Sequence, residues 1–524
     1  MRRNFLHQRS KSLLAFAVGL TILSSSFAGE VYAATPEEFY YQGSDLATND
    51  GTTTWDDTKK IATLKADRSI YRTFEQSFNL GTNGHSFPDG QFASLGTTKN
   101  INPNGVDFRN YSYTVAGEVN VEIKDGKESK NPKFNLTLFG DIIATHTENL
   151  TVKDLIALNI TNGTYGLDSN YGNDNTNGGL YLDNIANVGI SGTVSAIYSD
   201  VRGKIELNNI GTLNIKSNIN RVSEYGRWLE ATEDNTITCD YGSIVNINAT
   251  NTTITSTGRA ILATARSVDN INHLEGAIWE TDTPWPQVNI NSETLTIAAA
   301  TSGPTAAAVY SDTGAIVNLG NDGINGKIKQ LIFDKNAGAN MNLYSSSYIY
   351  KEENTGIYDR YSATIPTVNY NPERLHQSQI NVYAEYAEFN ANTNAINAHN
   401  KALINVKADD TVINSNYGNV ATVAASAGAT VTIEGNDLAI TNKNTGYLNN
   451  ATVVDKKDAK VAIGSGGLLN PSRADLVEEY GATEVNAGDI VIKATNNLNI
   501  NGNIVIKANP DAATGNSISI NKDN

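Results

Sequence analysis

The chain has little cysteine, little histidine and no long apolar run, and each shortage excludes something. Cys239 is the only cysteine in 524 residues, so no intramolecular disulfide can form and the fold must rest on its core and its hydrogen bonds. The six histidines (His7, His85, His146, His273, His376 and His399) stand apart from one another. No HExxH pair, paired-cysteine spacing or GGxGxD calcium repeat occurs, so no metal, cofactor or catalytic residue is expected. The longest apolar run, Leu13–Leu23, covers eleven residues, short of the ~20 that a membrane-spanning helix needs. Charged residues make up 18% of the chain, and the formal charge is −16 without a basic cluster in the body of the sequence. Nucleic-acid recognition needs a basic footprint, so no nucleic-acid partner is expected.

What is present begins with a targeting pattern. Arg2, Arg3, Arg9 and Lys11 precede the Leu13–Leu23 run, and Val31-Tyr32-Ala33 offers a small-x-small cleavage box before Ala34. That order describes a secretory signal peptide over residues 1–33, with export to the cell surface, outer membrane or medium as its consequence. Removing its four basic residues and one acid lowers the formal charge to −19.

Downstream, Asn, Thr, Ser and Gly oppose helices and favour turns, while Ile, Val and Tyr recur in alternation. Period-two segments are frequent, among them Val119–Ile123, Ile205–Leu207, Val245–Ile247, Val288–Ile290, Val317–Leu319, Ile380–Val382, Ile404–Val406, Val431–Ile433, Val461–Ile463 and Ile490–Ile492. Each buries alternate apolar residues, as strands do. A second apolar strand follows seven or eight residues later, as Ile254 follows Ile247 and Ile297 follows Ile290. Alanine-rich segments precede many first strands: Ala196–Asp200, Ala260–Ala263, Ala308–Asp312, Ala395–Ala398 and Val420–Val423.

Where little interrupts, the unit recurs every 24 to 30 residues, as from Val382 to Val406, Ile433, Ile463 and Ile492. Such a period predicts an all-β, single-stranded, right-handed parallel β-helix (a β-solenoid) with three strands per coil and side-loop inserts. An N-terminal cap region is expected over 34–118 and the parallel β-helix over 119–524. Inserts are expected at 218–241, 266–286, 345–377 and 467–488, the last holding a short helix near Asn470–Gly481.

Asn246, Asn289, Asn318, Asn381 and Asn405 all occupy the outward position of first strands. Stacked, they would form an asparagine ladder; otherwise they are polar residues chosen for exposure. Gly320–Lys327 has the wrong glycine spacing for a phosphate loop and reads as a turn. Asp409-Asp410 could supply half of a glycosidase carboxylate pair, or serve a turn. Three of the four tryptophans, Trp228, Trp279 and Trp285, fall in the first two inserts, and Tyr348, Tyr350, Tyr358 and Tyr361 in the third. Tyr and Trp are enriched in recognition surfaces, so these seven are the candidate binding residues, with packing of the inserts as their other reading.

Signal peptide, acidic Asn/Thr/Gly-rich repeat, near-absence of cysteine and long side loops together resemble the passenger domain of a type V secretion autotransporter, of the pertactin-like adhesin class. The resemblance covers roughly residues 110–524 and rests on architecture. It implies adhesion to a host or community glycan or surface protein, and an outer-membrane barrel as carrier. The Gly-Asp-Ser-Gly site of the family's protease members does not occur in this sequence. The family's C-terminal barrel is not in this sequence either: the sequence is expected to be a fragment of a longer chain that carries it. Passage by another route is the alternative, since Asn102-Pro-Asn-Gly105 is similar to a turn motif of filamentous-haemagglutinin-like two-partner exoproteins, whose barrel is a separate protein. A carbohydrate-active lyase or hydrolase on a β-helix is the enzymatic alternative, without the stack of Asp, Arg, Lys and His such enzymes carry.

Overall fold

The structure is a computed structural model. It describes residues 53–56, 61–64, 69–72, 78–80, 112–117, 119–124, 127–132, 135–139, 142–145, 149–163, 165–170, 179–200, 202–217, 235–240, 242–264, 285–301, 307–312, 314–323, 326–347, 377–399, 401–418, 420–426, 428–446, 460–465, 488–506 and 517–522. These residues are all-β. Two large sheets, of 17 and 12 strands, carry nearly all of them, and their strands pair in parallel except for Thr53–Asp56 with Ile61–Leu64.

The register explains the periodicity. In the wide sheet each strand pairs with the strand at the same place in the next repeat. Lys204–Ser217 pairs with Ile244–Ser256, that with Gln287–Ala299, and Gln379–Ala391 with Leu403–Tyr417. The narrow sheet takes the intervening short strands, Arg259–Thr264 on Ala307–Asp312 and so on to Asn503–Ile506. Parallel neighbours need a crossover, and here the crossover of one sheet is a strand of the other, an arrangement compatible with a solenoid.

Alternation becomes columns. Ile247, Ile290, Leu319, Val382, Val406 and Ile433 stand one above another in register, and all are fully buried. A second column, from the latter half of the long strands, runs Ile215, Ile254, Ile297, and Phe333 stacks on Phe389 at 5.1 Å. Narrow-sheet residues such as Ile261, Val309 and Ile396 join the same core. Large β-branched side chains fill this interior because the parallel stack puts the same position of every repeat against its own kind.

Narrow-sheet strands inside the stack are buried on both faces, as all six residues of Ala307–Asp312 are, whereas the last, Asn503–Ile506, exposes Ile504. This accounts for their small residues. Away from the common core, Leu262, Ala307, Tyr310, Met341 and Tyr344 form a separate buried cluster. Among the described residues a repeated turn leads from several narrow strands to the next wide one. The amide of Ser243 donates to the carbonyl of Asp240 and that of Ala315 to Asp312, with positive φ at the third residue of each turn, Gly242 and Gly314 (80° and 84°). Glycine suits that position because it has no Cβ to clash.

Three of the long strands carry a left-handed residue midway. Asp154, Asn184 and Asn209 sit there with φ of 59°, 53° and 54°, a conformation that short Asx side chains tolerate, and the Asn184 amide donates to Asp154 Oδ1 at 2.7 Å. One repeat divides the strand outright. Gln287–Ala299 pairs its first half with Ile316–Leu319 and its second with Ile328–Phe333. The segment 320–327 between them is the turn expected there.

Several expected boundaries move. Val119–Lys124 forms an antiparallel pair with Lys127–Pro132, outside the parallel stack; Asp125-Gly126 between the two runs is a hairpin signal that the period-two reading passed over. Parallel pairing does not begin at residue 119. Ser112–Gly117 already pairs with Asn149–Gly163, and Ile61–Leu64 with Ser112–Gly117. Ile463 does not belong to the column of Ile433. It lies in the narrow sheet beside Val423, and the partner of Ile433 is Ile492. A purely apolar alternation cannot tell which sheet a strand joins.

The insert expected at 218–241 overlaps a narrow-sheet strand, Asn235–Asp240, all of it buried. Thr236 and Thr238 made that strand look like loop. The insert expected at 345–377 likewise gives up Ser345 and Ser346 to the strand Met341–Ser346. The last alanine-rich strand is Val423–Ala425, not Val420–Val423, because Asn442 donates to the carbonyls of Tyr417 and Val420 at 3.0 Å each and holds that stretch as a bend. The signal peptide, the helix expected near Asn470–Gly481 and most of the four inserts lie outside the described residues.

Candidate functional site

The outward positions of the first strands carry a row of asparagines, of which Asn246, Asn289 and Asn318 line the site. Asn405 donates through Nδ2 to Asn381 Oδ1 at 2.9 Å, Asn381 to Asn318 at 2.9 Å, Asn318 to Asn289 at 2.7 Å and Asn289 to Asn246 at 2.8 Å. Asn246 ends the row on the Glu206 carboxylate at 3.3 Å. The five asparagines are therefore a ladder, with every donor pointing the same way along the stack. Co-directional amide hydrogen bonds polarise one another, and a carboxylate stands at the donor end, where negative charge is favourable.

A second ladder runs beside the first, two residues beyond Glu206, Asn246 and Asn289 on their strands and three beyond Asn318, at Asn321 past the strand end. Asn321 donates to Asn291 at 3.0 Å, Asn291 to Asn248 at 3.0 Å and Asn248 to Asn208 at 2.7 Å. Side chains two apart share a face of a strand, so the two ladders are neighbours. The alternating pattern carried the signal for this second row, but only the first was read from it.

Between the ladders lies an open groove of about 490 Å³, bounded by Glu206 at one end and by Gly320, Asp322 and Tyr383 at the other. The 320–327 loop is its wall. The Asn321 and Gly326 backbones close the loop at 2.8 Å, and two ion pairs tie it across the stack, Lys327 to Asp409 at 2.7 Å and Lys407 to Asp322 at 3.5 Å. Asp409 thus holds a loop by an exposed ion pair. Asp410 beside it lies in register with Tyr386 and Asp437.

An adjoining hollow of about 470 Å³ extends the groove to Thr151 and Tyr181 and shares Asn208 and Asn248 with it. At this end Lys204 bonds Glu206 at 2.7 Å and lies 5.6 Å from the centre of the Tyr181 ring. The Glu206 hydrogen bond holds the Lys204 ammonium above its ordinary range. Burial pushes the Tyr181 phenol up as well, with Lys204 opposing. Tyr181 stays a hydroxyl donor and Lys204 a cation at neutral pH. At the other end Lys407 stands 5.8 Å over Tyr383.

Chemically the groove is an amide surface. An asparagine amide has two N–H donors and two carbonyl lone pairs; a ladder rung uses one of each, so each rung keeps one donor and one acceptor for a ligand. Among the described residues no three His, Cys, Asp or Glu side chains converge as a metal site would require.

Of the seven residues expected to bind, only Trp285 is described. It is half-buried and stands two residues before the strand Gln287–Ala299, with Pro286 between. Trp228, Trp279, Tyr348, Tyr350, Tyr358 and Tyr361 lie outside the described residues. Tyr344, at the edge of the third insert, is fully buried and stacks on Tyr310 at 5.0 Å; the Arg259 guanidinium lies 4.4 Å from that ring. It packs the narrow sheet. Cys239 is buried and donates to backbone oxygens, and burial pushes its thiol up to about 12, so it is inert as a nucleophile.

No family model, curated protein or solved structure matches the chain.

Proposed function

We propose that this protein is an exported, surface-displayed bacterial adhesin whose body is a right-handed parallel β-helix of three strands per coil, held as an autotransporter-like passenger. The coil reading is supported by changes of direction among the described residues: the left-handed Asp154, Asn184 and Asn209 within three long strands, the Asp240–Ser243 type of turn, and the bends at 257–258 and 392–393 before two narrow strands. Right-handedness follows the rule for parallel crossovers.

The observation that carries the adhesive reading is the groove. A stack of near-identical repeats places the same uncharged hydrogen-bonding groups at regular intervals along one face, a surface suited to holding an extended partner on a rigid support. The signal-peptide pattern at residues 1–33, the acidic body and the single cysteine fit secretion and display. The partners are then a host or community glycan or surface protein, and an outer-membrane barrel as carrier, in the same chain or separate.

The test is display of the full chain on a non-adherent bacterial host. Expressing cells should become protease-sensitive at the surface and attach to epithelial cells or to one another. Retention of the chain inside the cell, or display without gain of attachment, would refute the proposal.

A further inference from the structure

Resting on the adhesin reading, we propose that the groove between the two asparagine ladders is the binding site for a neutral, extended oligosaccharide lying along the stack. The argument starts from length. From the Tyr181 strand to the Tyr383 strand there are five inter-strand steps, roughly 24 Å at ~4.8 Å each. The two hollows lie side by side and share Asn208 and Asn248 in their linings. A chain of several sugar units fits such a trough, whereas a single small molecule would fill a fraction of it.

Chemistry narrows the occupant. The floor offers repeating amide donors and acceptors, and a sugar hydroxyl both donates and accepts, so each can meet a rung without leaving a polar group unpaired. An apolar ligand or side chain would strip water from the amides and return nothing, at a cost for each unpaired group. Tyr181 and Tyr383 lie at the two ends, and aromatic faces stack against the C–H faces of pyranose rings. Charge decides between glycans. The lining carries the carboxylates of Glu206 and Asp322 and Asp183 in the adjoining hollow. The nearby ammonium groups of Lys204 and Lys407 are already paired with Glu206 and Asp322. With those two pairs neutralised, Asp183 leaves the lining net negative and without a spare cation, so a sulfated or uronic-acid chain would be repelled and find no ammonium to pair with.

The ladders also have a structural duty, visible where they continue beyond the groove. Asn405 belongs to the first ladder but does not line the groove, which makes it the internal control. The experiment measures retention of the purified full chain on an immobilised panel of neutral, carboxylated and sulfated oligosaccharides. Thermal melting is followed for each variant.

Neutral oligosaccharides should be retained. Binding should fall at least tenfold in the Asn248→Ala/Asn291→Ala double variant and remain within twofold of the parent in Asn405→Ala. Should the double variant melt early, Tyr383→Ala removes one end of the trough at a half-exposed position and should weaken binding by a similar factor. Retention of charged glycans alone, retention of none, or equal loss in groove and control variants overturns the proposal. Attachment of displaying cells separates the two readings. If cells attach and the groove variants attach equally, adhesion stands and the groove is not its site. If cells fail to attach while neutral glycans bind the groove, the site stands and adhesion falls.

Discussion

Neighbouring residues of one strand should respond very unequally to the same new charge. Val406 is fully buried between Val382 and Ile433, while Asn405 beside it is half-buried on the outer face and bonded to Asn381 at 2.9 Å. Val406→Asp loses about 1.5–3 kcal/mol of apolar burial and adds several kcal/mol for a carboxylate without a partner, a total above about 5 kcal/mol. Asn405→Asp forfeits one hydrogen bond of about 1 kcal/mol and sets a carboxylate beside the Asn381 carbonyl oxygen, where water can still screen it. A loss of about 1–2 kcal/mol follows.

Urea denaturation followed by far-ultraviolet circular dichroism and by native-state proteolysis measures both losses. Stability in a stacked repeat is roughly a sum of nearest-neighbour terms, so Val406→Asp should also open the coils around Ile433 before the rest. The sign with pH is a further check. The new carboxyl has its folded pKa raised by burial above an unfolded value of about 3.9. Its penalty is therefore full at neutral pH and relaxes as pH falls through the folded pKa. Equal losses in the two variants, or a Val406→Asp penalty that does not change with pH, would refute the inside/outside assignment.

The remaining expectations are shorter. Cys239, with its thiol raised from 9.0 to about 12 by burial, should resist maleimide labelling until the chain unfolds; because the unfolded thiol ionises first, its contribution to stability should be lost as pH rises from about 9 towards 12. Gly203→Ala should destabilise strongly, since a Cβ there would collide with the backbone carbonyl of Ser169, and a thermal melt would show it. Lys493→Ala breaks an exposed pair with Glu434 and should cost less than about 1 kcal/mol in the same melt. Deleting 265–284 together with 348–376 should abolish cell attachment while leaving the β-rich spectrum intact if the inserts also contact the partner, and surviving attachment would place the contact on the groove alone.

The amino-acid pattern by itself determined that the chain is built of strands, which residues alternate inward, and that like positions stack, but not that the expected first and second short strands join into one strand such as Ile244–Ser256. The first three follow from local rules, because a strand's period of two and a repeat of constant length leave few other ways to bury Ile247, Ile290 and Val406. The first asparagine row was legible for the same reason. Sheet membership was not. Val461–Ile463 and Val431–Ile433 look alike as strings, and only the place where the chain turns sends one to the narrow sheet and the other to the wide one. Asn235–Asp240 was hidden because a strand buried on both faces selects small side chains, whose alternation carries no hydrophobic contrast. The groove belongs wholly to tertiary structure. Its two ladders draw asparagines from repeats 24 to 63 residues apart, and its wall exists because one repeat lengthens a corner that its neighbours make within a continuous strand. Nothing local distinguishes a polar residue that faces water from one that completes a rung, since the difference lies in what the next coil places 2.7–3.0 Å away.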